Sequence, residues 1–143
     1  TPPSLQPKDV LVKAKNRAWI SFGGDILMAM HAMTTSKDEA VSNEKRAVVL
    51  QKLQQLESVH SGGAYFNGKE FNMIDAAYAP MFMRIEFIKN LTSINLLSAT
   101  PKLANWSHNL LVMDSVQQSV VPELPTMYKG MVKNMDGYLA TLL

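Results

Sequence analysis

The sequence contains no cysteine, so this chain has no disulfide, no thiolate metal site and no cysteine nucleophile of its own. It also lacks any run of about 18 apolar residues, the length that a helix needs to cross a bilayer. Its first residues do not form the charged segment, apolar segment and cleavage site of a secretory leader. These absences predict a soluble, cytoplasmic protein that does not contact a membrane.

Charge is scarce and nearly balanced in sign. Charged residues make up 18% of the chain and the net charge is +2, whereas a nucleic-acid-binding domain gathers Lys and Arg on one face. Basic and acidic residues instead alternate between residues 37 and 57, and we expect no nucleic-acid partner. His31, His60 and His108 are far apart in the chain, and no two of them have a metal-ligating spacing. No metal site is predicted.

The N-terminal segment is rich in proline. Pro2, Pro3 and Pro7 disfavour both a helix and a central strand. The chain also starts without an initiator methionine. We therefore expect residues 1–7 to be an interdomain linker that follows another domain, and residues 8–143 to form one helical domain. The apolar content of 47% is sufficient for a buried core.

Apolar residues recur at helical spacing along most of the chain. The pattern predicts helices over about 7–33, 36–59, 72–90 and 100–113, followed by a short turn and a last helix that ends near residue 142. No segment offers a partner strand for the one hairpin signal, Asn67-Gly68. The predicted fold is an all-α bundle of five to six helices.

Two local patterns refine the first and second helices. Gly23-Gly24 lies within the first helix and indicates either a bend or the close approach of another helix. Ser36 and Glu39 have the spacing of a capping box, in which a side chain and a backbone amide at each position bond reciprocally. This spacing predicts that Ser36 caps the second helix.

The third helix is apolar on nearly all sides, which is typical of a helix at the centre of a bundle. Asn72 is a good N-cap, and Asp75 lies three residues later, where its carboxylate reaches back to the cap amide. We therefore assign Asp75 a capping role rather than a catalytic one. Pro80 removes one ladder bond and is expected to kink the helix.

Three segments carry a family resemblance. They are Ala64–Ile88 (AYFNGKEFNMIDAAYAPMFMRIEFI), Thr100–Trp106 (TPKLANW) and Lys13–Trp19 (KAKNRAW). Together and in this order they resemble the C-terminal domain of glutathione transferases. The combination of Pro80 with a following aromatic residue and Arg84 is similar to the omega class in particular. Asn72 stands where that family usually has Ser or Thr.

The resemblance implies that an N-terminal thioredoxin-like domain, absent from this chain, binds the co-substrate glutathione and supplies the catalytic residue. That residue is Tyr, Ser or Cys, so both conjugation and thiol transfer remain open. The intact protein is expected to be a homodimeric detoxification enzyme. This chain by itself is expected to be inactive, because its helical domain contributes a wall of the substrate pocket and part of the dimer interface.

The resemblance also suggests four residues for the pocket of a small electrophilic or disulfide substrate: Trp19, Phe22, Arg84 and Tyr128. Each has an alternative assignment. Trp19, Phe22 and Tyr128 also suit core packing, and Arg84 also suits an ion pair with Glu86, with Asp25 or with the absent domain.

A second function remains open. Helical domains of this family also occur as non-catalytic scaffolds that bind other proteins. The complete reading frame distinguishes the two hypotheses, because a thioredoxin-like segment before Thr1 would indicate an enzyme.

Overall fold

The computed structural model describes residues 7–143, so most of the predicted linker, residues 1–6, lies outside the described part. The described chain forms six α-helices and a C-terminal 3₁₀ helix. The α-helices are α1 (Val10–Thr35), α2 (Glu39–Val59), α3 (Met73–Thr92), α4 (Pro101–Leu111), α5 (Asp114–Gln117) and α6 (Leu124–Met135), and the 3₁₀ helix spans Tyr138–Leu142. Within residues 7–143 the sole β-type pairing is an isolated bridge between Tyr65 and Gly68. The prediction of an all-α bundle is confirmed.

Helix α3 lies at the centre of the bundle, as its apolar sequence predicts. It packs against α1, α4, α6 and the 3₁₀ helix. Its buried side chains are Ile74, Asp75, Tyr78, Ala79, Met81, Phe82, Met83, Ile85 and Ile88. The helix continues through Pro80. Four rings surround the fully buried Trp106 of α4, at centroid distances between 4.9 and 5.4 Å. These aromatic contacts join α3 to α4.

The connection between α1 and α2 differs from the prediction. Asp38, not Ser36, is the N-cap of α2, and its carboxylate accepts a hydrogen bond from the Ala40 N–H at 2.7 Å. Ser36 instead ends α1, where its hydroxyl donates to the Ala32 carbonyl at 2.6 Å. Both residues suit a cap chemically, and the chain uses one for each helix.

The last predicted helix is divided into two. Asp136 adopts a left-handed conformation, with φ 50°, and ends α6. Gly137 follows it and lies so close to the α1–α2 connection that a Cβ atom would be 2.7 Å from the Ser36 carbonyl oxygen. That carbonyl accepts a hydrogen bond from the Tyr138 N–H at 2.8 Å. A contact between distant segments therefore ends the helix.

The buried carboxylate of Asp75 joins three segments. Its side chain is 0% exposed. Oδ1 accepts hydrogen bonds from the Phe66 N–H and from the Trp106 Nε1–H, both at 2.9 Å. Oδ2 accepts from the Asn72 N–H at 2.7 Å, which is the arm of the predicted capping box that closes the start of α3. Burial raises the pKa of Asp75, and its hydrogen bonds act in the opposite direction.

A second carboxylate caps α4 from another helix. Glu57, near the end of α2, accepts hydrogen bonds from the Lys102 and Leu103 amides, both at 2.9 Å. Pro101 occupies the first position of α4, so these are the next two free amides. The Thr100 side chain at the N-cap forms no capping hydrogen bond. Glu57 therefore caps α4 in its place.

We expect Asp75→Ala to destabilise the domain by roughly 3–5 kcal/mol. The substitution leaves three N–H donors without an acceptor, and each buried unsatisfied donor costs about 1–3 kcal/mol. Chemical denaturation measures the loss. Asn72→Ser is the control, since serine is an equally good N-cap, and it should change stability by less than about 1 kcal/mol. A melting temperature of Asp75→Ala equal to that of the parent would contradict the assignment.

Gly23 allows α1 to approach α3 closely. A Cβ atom at Gly23 would lie 2.9 Å from Cζ and 3.0 Å from Cε1 of Tyr78. The Tyr78 hydroxyl donates a hydrogen bond to the Trp19 carbonyl of α1, so the ring is fixed at both ends. At Gly24, by contrast, a Cβ atom would meet no other atom within 4 Å. One glycine of the pair is therefore required for packing.

We expect Gly23→Ala and Gly24→Ala to change stability in opposite directions. The first substitution overpacks a buried ring, at a cost of about 1–3 kcal/mol. The second replaces an open helical glycine and should stabilise the domain by up to about 1 kcal/mol. Thermal unfolding of the two variants beside the parent measures both changes. Equal effects would mean that Tyr78 does not require the space at Gly23.

Candidate functional site

Helices α1, α3 and α6 enclose a cleft of about 310 Å³. The second half of α1 forms one wall, α3 contributes Pro80 and Arg84, and α6 contributes Tyr128 and Met131. The α1 wall consists of Leu27, Met30, His31 and Thr34. The volume lies at the small end of the range typical of ligand pockets. Two of the four predicted substrate residues, Arg84 and Tyr128, are therefore in one cavity.

Arg84 supplies the positive charge of the cleft. Its side chain is half-buried, and one guanidinium N–H donates to the Pro80 carbonyl at 2.9 Å. Within residues 7–143 the Arg84 guanidinium forms this one hydrogen bond. An ion pair with Asp25 or Glu86, the alternative at the sequence level, is not formed in the described part. A guanidinium has five N–H donors, so several remain for an anionic group in the cleft.

Tyr128 closes the other side of the cleft. It is 9% exposed, and its ring packs on Phe87 of α3 at a centroid distance of 5.4 Å. Burial raises the pKa of the Tyr128 hydroxyl, while the charge of Arg84 lowers it. The hydroxyl is therefore neutral at physiological pH and serves as a hydrogen-bond donor or acceptor beside the guanidinium.

Trp19 and Phe22 lie elsewhere on α1. Their rings contact each other edge to face, with centroids 5.0 Å apart. The Lys52 ammonium of α2 lies 5.3 Å from the Phe22 centroid. Trp19 lines a second cavity, with Asn16 and Phe66 among its neighbours. The structure thus divides the four predicted residues into two pairs at different positions.

Two general properties of the described residues bear on function. No group of three or more His, Asp or Glu side chains within residues 7–143 is arranged to hold a metal ion. Among the helices of the same residues, none combines the length and the apolar character that crossing a bilayer requires.

Comparisons with known proteins agree on the fold. A solved structure of a Tau class glutathione S-transferase from mango, Mangifera indica, superposes with a TM-score of 0.77 at 17% sequence identity. Residues 39–109 match the family model of the glutathione S-transferase C-terminal domain. The fold is that of a glutathione S-transferase C-terminal domain. The search of curated proteins finds no match.

The extent of the match limits what it implies about the whole protein. The structural match covers 91% of this chain and 63% of the mango protein, so this chain spans less than two thirds of that relative. At 17% identity the likeness shows the fold and not the class. The omega-like affiliation therefore stays a prediction.

Most of the α1 wall of the cleft was not among the predicted substrate residues. Leu27, Met30, His31 and Thr34 follow one another at short intervals that place them on one face of the helix. That spacing is visible in the sequence. What the sequence does not reveal is that this face, although Met30 and Thr34 are largely buried, also lines a cleft with Arg84.

His60 is buried beside the aromatic rings that surround Trp106. It is 4% exposed, its ring centroid lies 4.9 Å from that of Trp106, and Nδ1 accepts a hydrogen bond from the Gly62 N–H at 2.9 Å. Nε2 is buried without a partner among residues 7–143. Burial, with the nearby charge of Lys102, lowers the pKa of His60 to about 4, and Glu57 acts in the opposite direction.

This pKa makes the domain sensitive to acid. The unfolded chain takes up a proton at His60 near pH 6.5, whereas the folded chain takes it up near pH 4. Between these values the unfolded state binds more protons, so stability decreases as the pH falls. The ionisation of Asp75, whose pKa is raised, has the opposite slope. The net pH dependence therefore contains both contributions.

When the pH falls from 6.5 to 4, the free energy of unfolding of the parent should decrease by about 2–3 kcal/mol more than that of His60→Asn. The Asn side-chain oxygen can replace Nδ1 as the acceptor for Gly62 but does not titrate. Urea denaturation across this range gives the difference curve, from which the shared Asp75 contribution cancels. His108→Asn, on the exposed face of α4, is the control and should follow the parent. Parallel curves for the parent and His60→Asn would contradict the prediction.

Proposed function

We propose that this domain is part of a glutathione transferase and forms one wall of its electrophile pocket. The observation that supports the proposal is the cleft in which Arg84 and Tyr128 lie together. The cleft combines the apolar side chains of Leu27 and Met30, which hold an organic substrate, with a guanidinium that has donors available. An apolar wall with few polar groups is the usual composition of a small-molecule site.

The cleft residues have separate tasks in this proposal. Arg84 attracts and orients an anionic group of the electrophile, and Tyr128 packs against its body while offering one hydroxyl. Leu27 and Met30 exclude water from the reacting group. Glutathione and the residue that activates its thiol belong to a thioredoxin-like domain outside these residues. Both conjugation and thiol transfer are compatible with this wall.

The assembly is part of the proposal. Val10, Leu11 and Met28 are 80%, 64% and 73% exposed on α1. Large apolar side chains left at the surface suit coverage by a second copy or by the thioredoxin-like domain. We propose a homodimer located in the cytoplasm.

The same exposed side chains keep the second hypothesis open. A non-catalytic scaffold would use them to bind a different protein. The complete reading frame decides between the two functions, because the enzyme requires a thioredoxin-like segment upstream and the scaffold does not.

We expect Arg84→Gln to weaken binding of the anionic electrophile 4-chloro-3-nitrobenzoate to the 143-residue chain about tenfold, since a charge-assisted hydrogen bond contributes about 1.5–3 kcal/mol. Binding of the neutral 1-chloro-2,4-dinitrobenzene should change less than about twofold. Titrations followed by the NMR amide shifts of Arg84 and Tyr128, which report on this cleft and not on the cavity at Trp19, measure both affinities. In an enzyme from the complete reading frame, the same substitution should raise KM for the anionic substrate alone.

Two further variants complete this test. Arg46→Gln, on α2, removes an equal charge away from the cleft and should bind both compounds as the parent does. Trp19→Leu examines the other predicted pair, and an unchanged affinity at the Arg84 and Tyr128 amides would confine the electrophile pocket to the Arg84 cleft. If Arg84→Gln weakens the neutral and the anionic compound equally, Arg84 has a structural role and the charge-based proposal fails.

A further inference from the structure

A second cavity lies at the end of the bundle where α1 begins and α2 ends. Its volume is about 430 Å³. Its lining residues are Val12, Lys15, Asn16 and Trp19 of α1, Val59 of α2, and Phe66 and Asn67 of the loop before α3. Asn16 and Met30, which lines the Arg84 cleft, are separated along α1 by roughly 20 Å at about 1.5 Å per residue. The two cavities are therefore distinct.

The cavity contains a buried amide without a partner. Asn16 is 2% exposed, and its Nδ2 atom is shielded from solvent and forms no hydrogen bond within residues 7–143. A buried donor without an acceptor is unfavourable, and native proteins contain few of them. The side chain also lines the cavity. Because the terminal torsion of asparagine is broad, the NH₂ group can turn toward an acceptor placed there.

The surroundings of Asn16 favour an anion with a flat apolar body. Trp19 and Phe66 provide aromatic surface, and Val12 and Val59 provide aliphatic surface. Lys15 lies on the lining, and Lys13 and Arg17 are on the same two turns of α1. Asp9, the acidic residue nearest in the chain, is occupied as the N-cap of α1. On these turns of α1 the basic residues outnumber the acidic one, which favours an anion beside Lys15.

From these observations we infer that this cavity binds a small aromatic carboxylate. The carboxylate accepts a hydrogen bond from Asn16 and is attracted by Lys15, while the ring system lies between Trp19 and Phe66. The site is separate from the proposed electrophile pocket and does not depend on it. It would be a ligand site of the helical domain by itself.

The test is a titration of the ¹⁵N-labelled 143-residue chain with 2-naphthoate. We expect saturable shifts of the Asn16 side-chain NH₂ and Trp19 indole signals, with a Kd of about 1 mM or lower. The neutral 2-naphthamide should bind several-fold more weakly. Repeating the titration with Arg84→Gln removes any binding at the other cleft and should leave the Asn16 shifts unchanged.

Substitutions separate a binding role from a structural role. Asn16→Leu should weaken 2-naphthoate binding about tenfold or more, and its melting temperature should equal or exceed that of the parent because it removes the unsatisfied donor. Lys15→Gln, on the exposed rim, should weaken binding about threefold. Asn105→Leu, on the exposed face of α4, is the matched control and should bind as the parent does. The inference is overturned if Asn16 and Trp19 do not respond to 2-naphthoate, or if Asn16→Leu binds it normally.

Discussion

The buried carboxylate of Asp75 is the interaction on which the arrangement of the domain depends. It brings together the loop before α3, the first turn of α3 and the indole of α4 through three N–H donors. A carboxylate in an apolar core is unfavourable unless such donors surround it. These donors come from separate parts of the chain. The buried charge is therefore stabilised when the loop, α3 and α4 are arranged so that all three donors reach it. Asp75 thereby fixes where α3 begins and how α4 lies against it.

The position of α3 in turn determines the Arg84 cleft. Once its first turn is fixed at Asp75, Arg84 is placed nine residues later, more than two turns along the helix. Tyr78 lies between these two points and contacts α1 at Gly23 and at the Trp19 carbonyl. This contact sets the separation of α1 from α3 at the middle of α1. The width of the cleft therefore follows from a glycine and a tyrosine that do not line it.

Local chemistry made the fold predictable, whereas the missing details are contacts between distant segments. The Asn72–Asp75 spacing and the apolar α3 predicted a central capped helix, and the apolar spacing after residue 100 predicted α4. The bond from Trp106 to Asp75 spans 31 residues and those from α4 to Glu57 span 45 and 46, and no periodicity indicates them. Helix geometry did contain one neglected signal. Trp19 lies eight residues before Leu27, about 12 Å along α1, too far to share its cleft.

Three buried polar side chains, those of Asp75, His60 and Asn16, have different roles that composition does not distinguish. The Asp75 carboxylate accepts three hydrogen bonds and connects the segments that donate them. His60 Nε2 and Asn16 Nδ2 are both without partners within the described residues, yet their surroundings differ. His60 is enclosed by the rings of Trp106 and Phe66, so its unsatisfied nitrogen affects stability alone. Asn16 borders a cavity large enough for a ligand. An acceptor that enters from solvent can satisfy Asn16, and for that reason the second cavity, rather than the histidine, is where binding is expected.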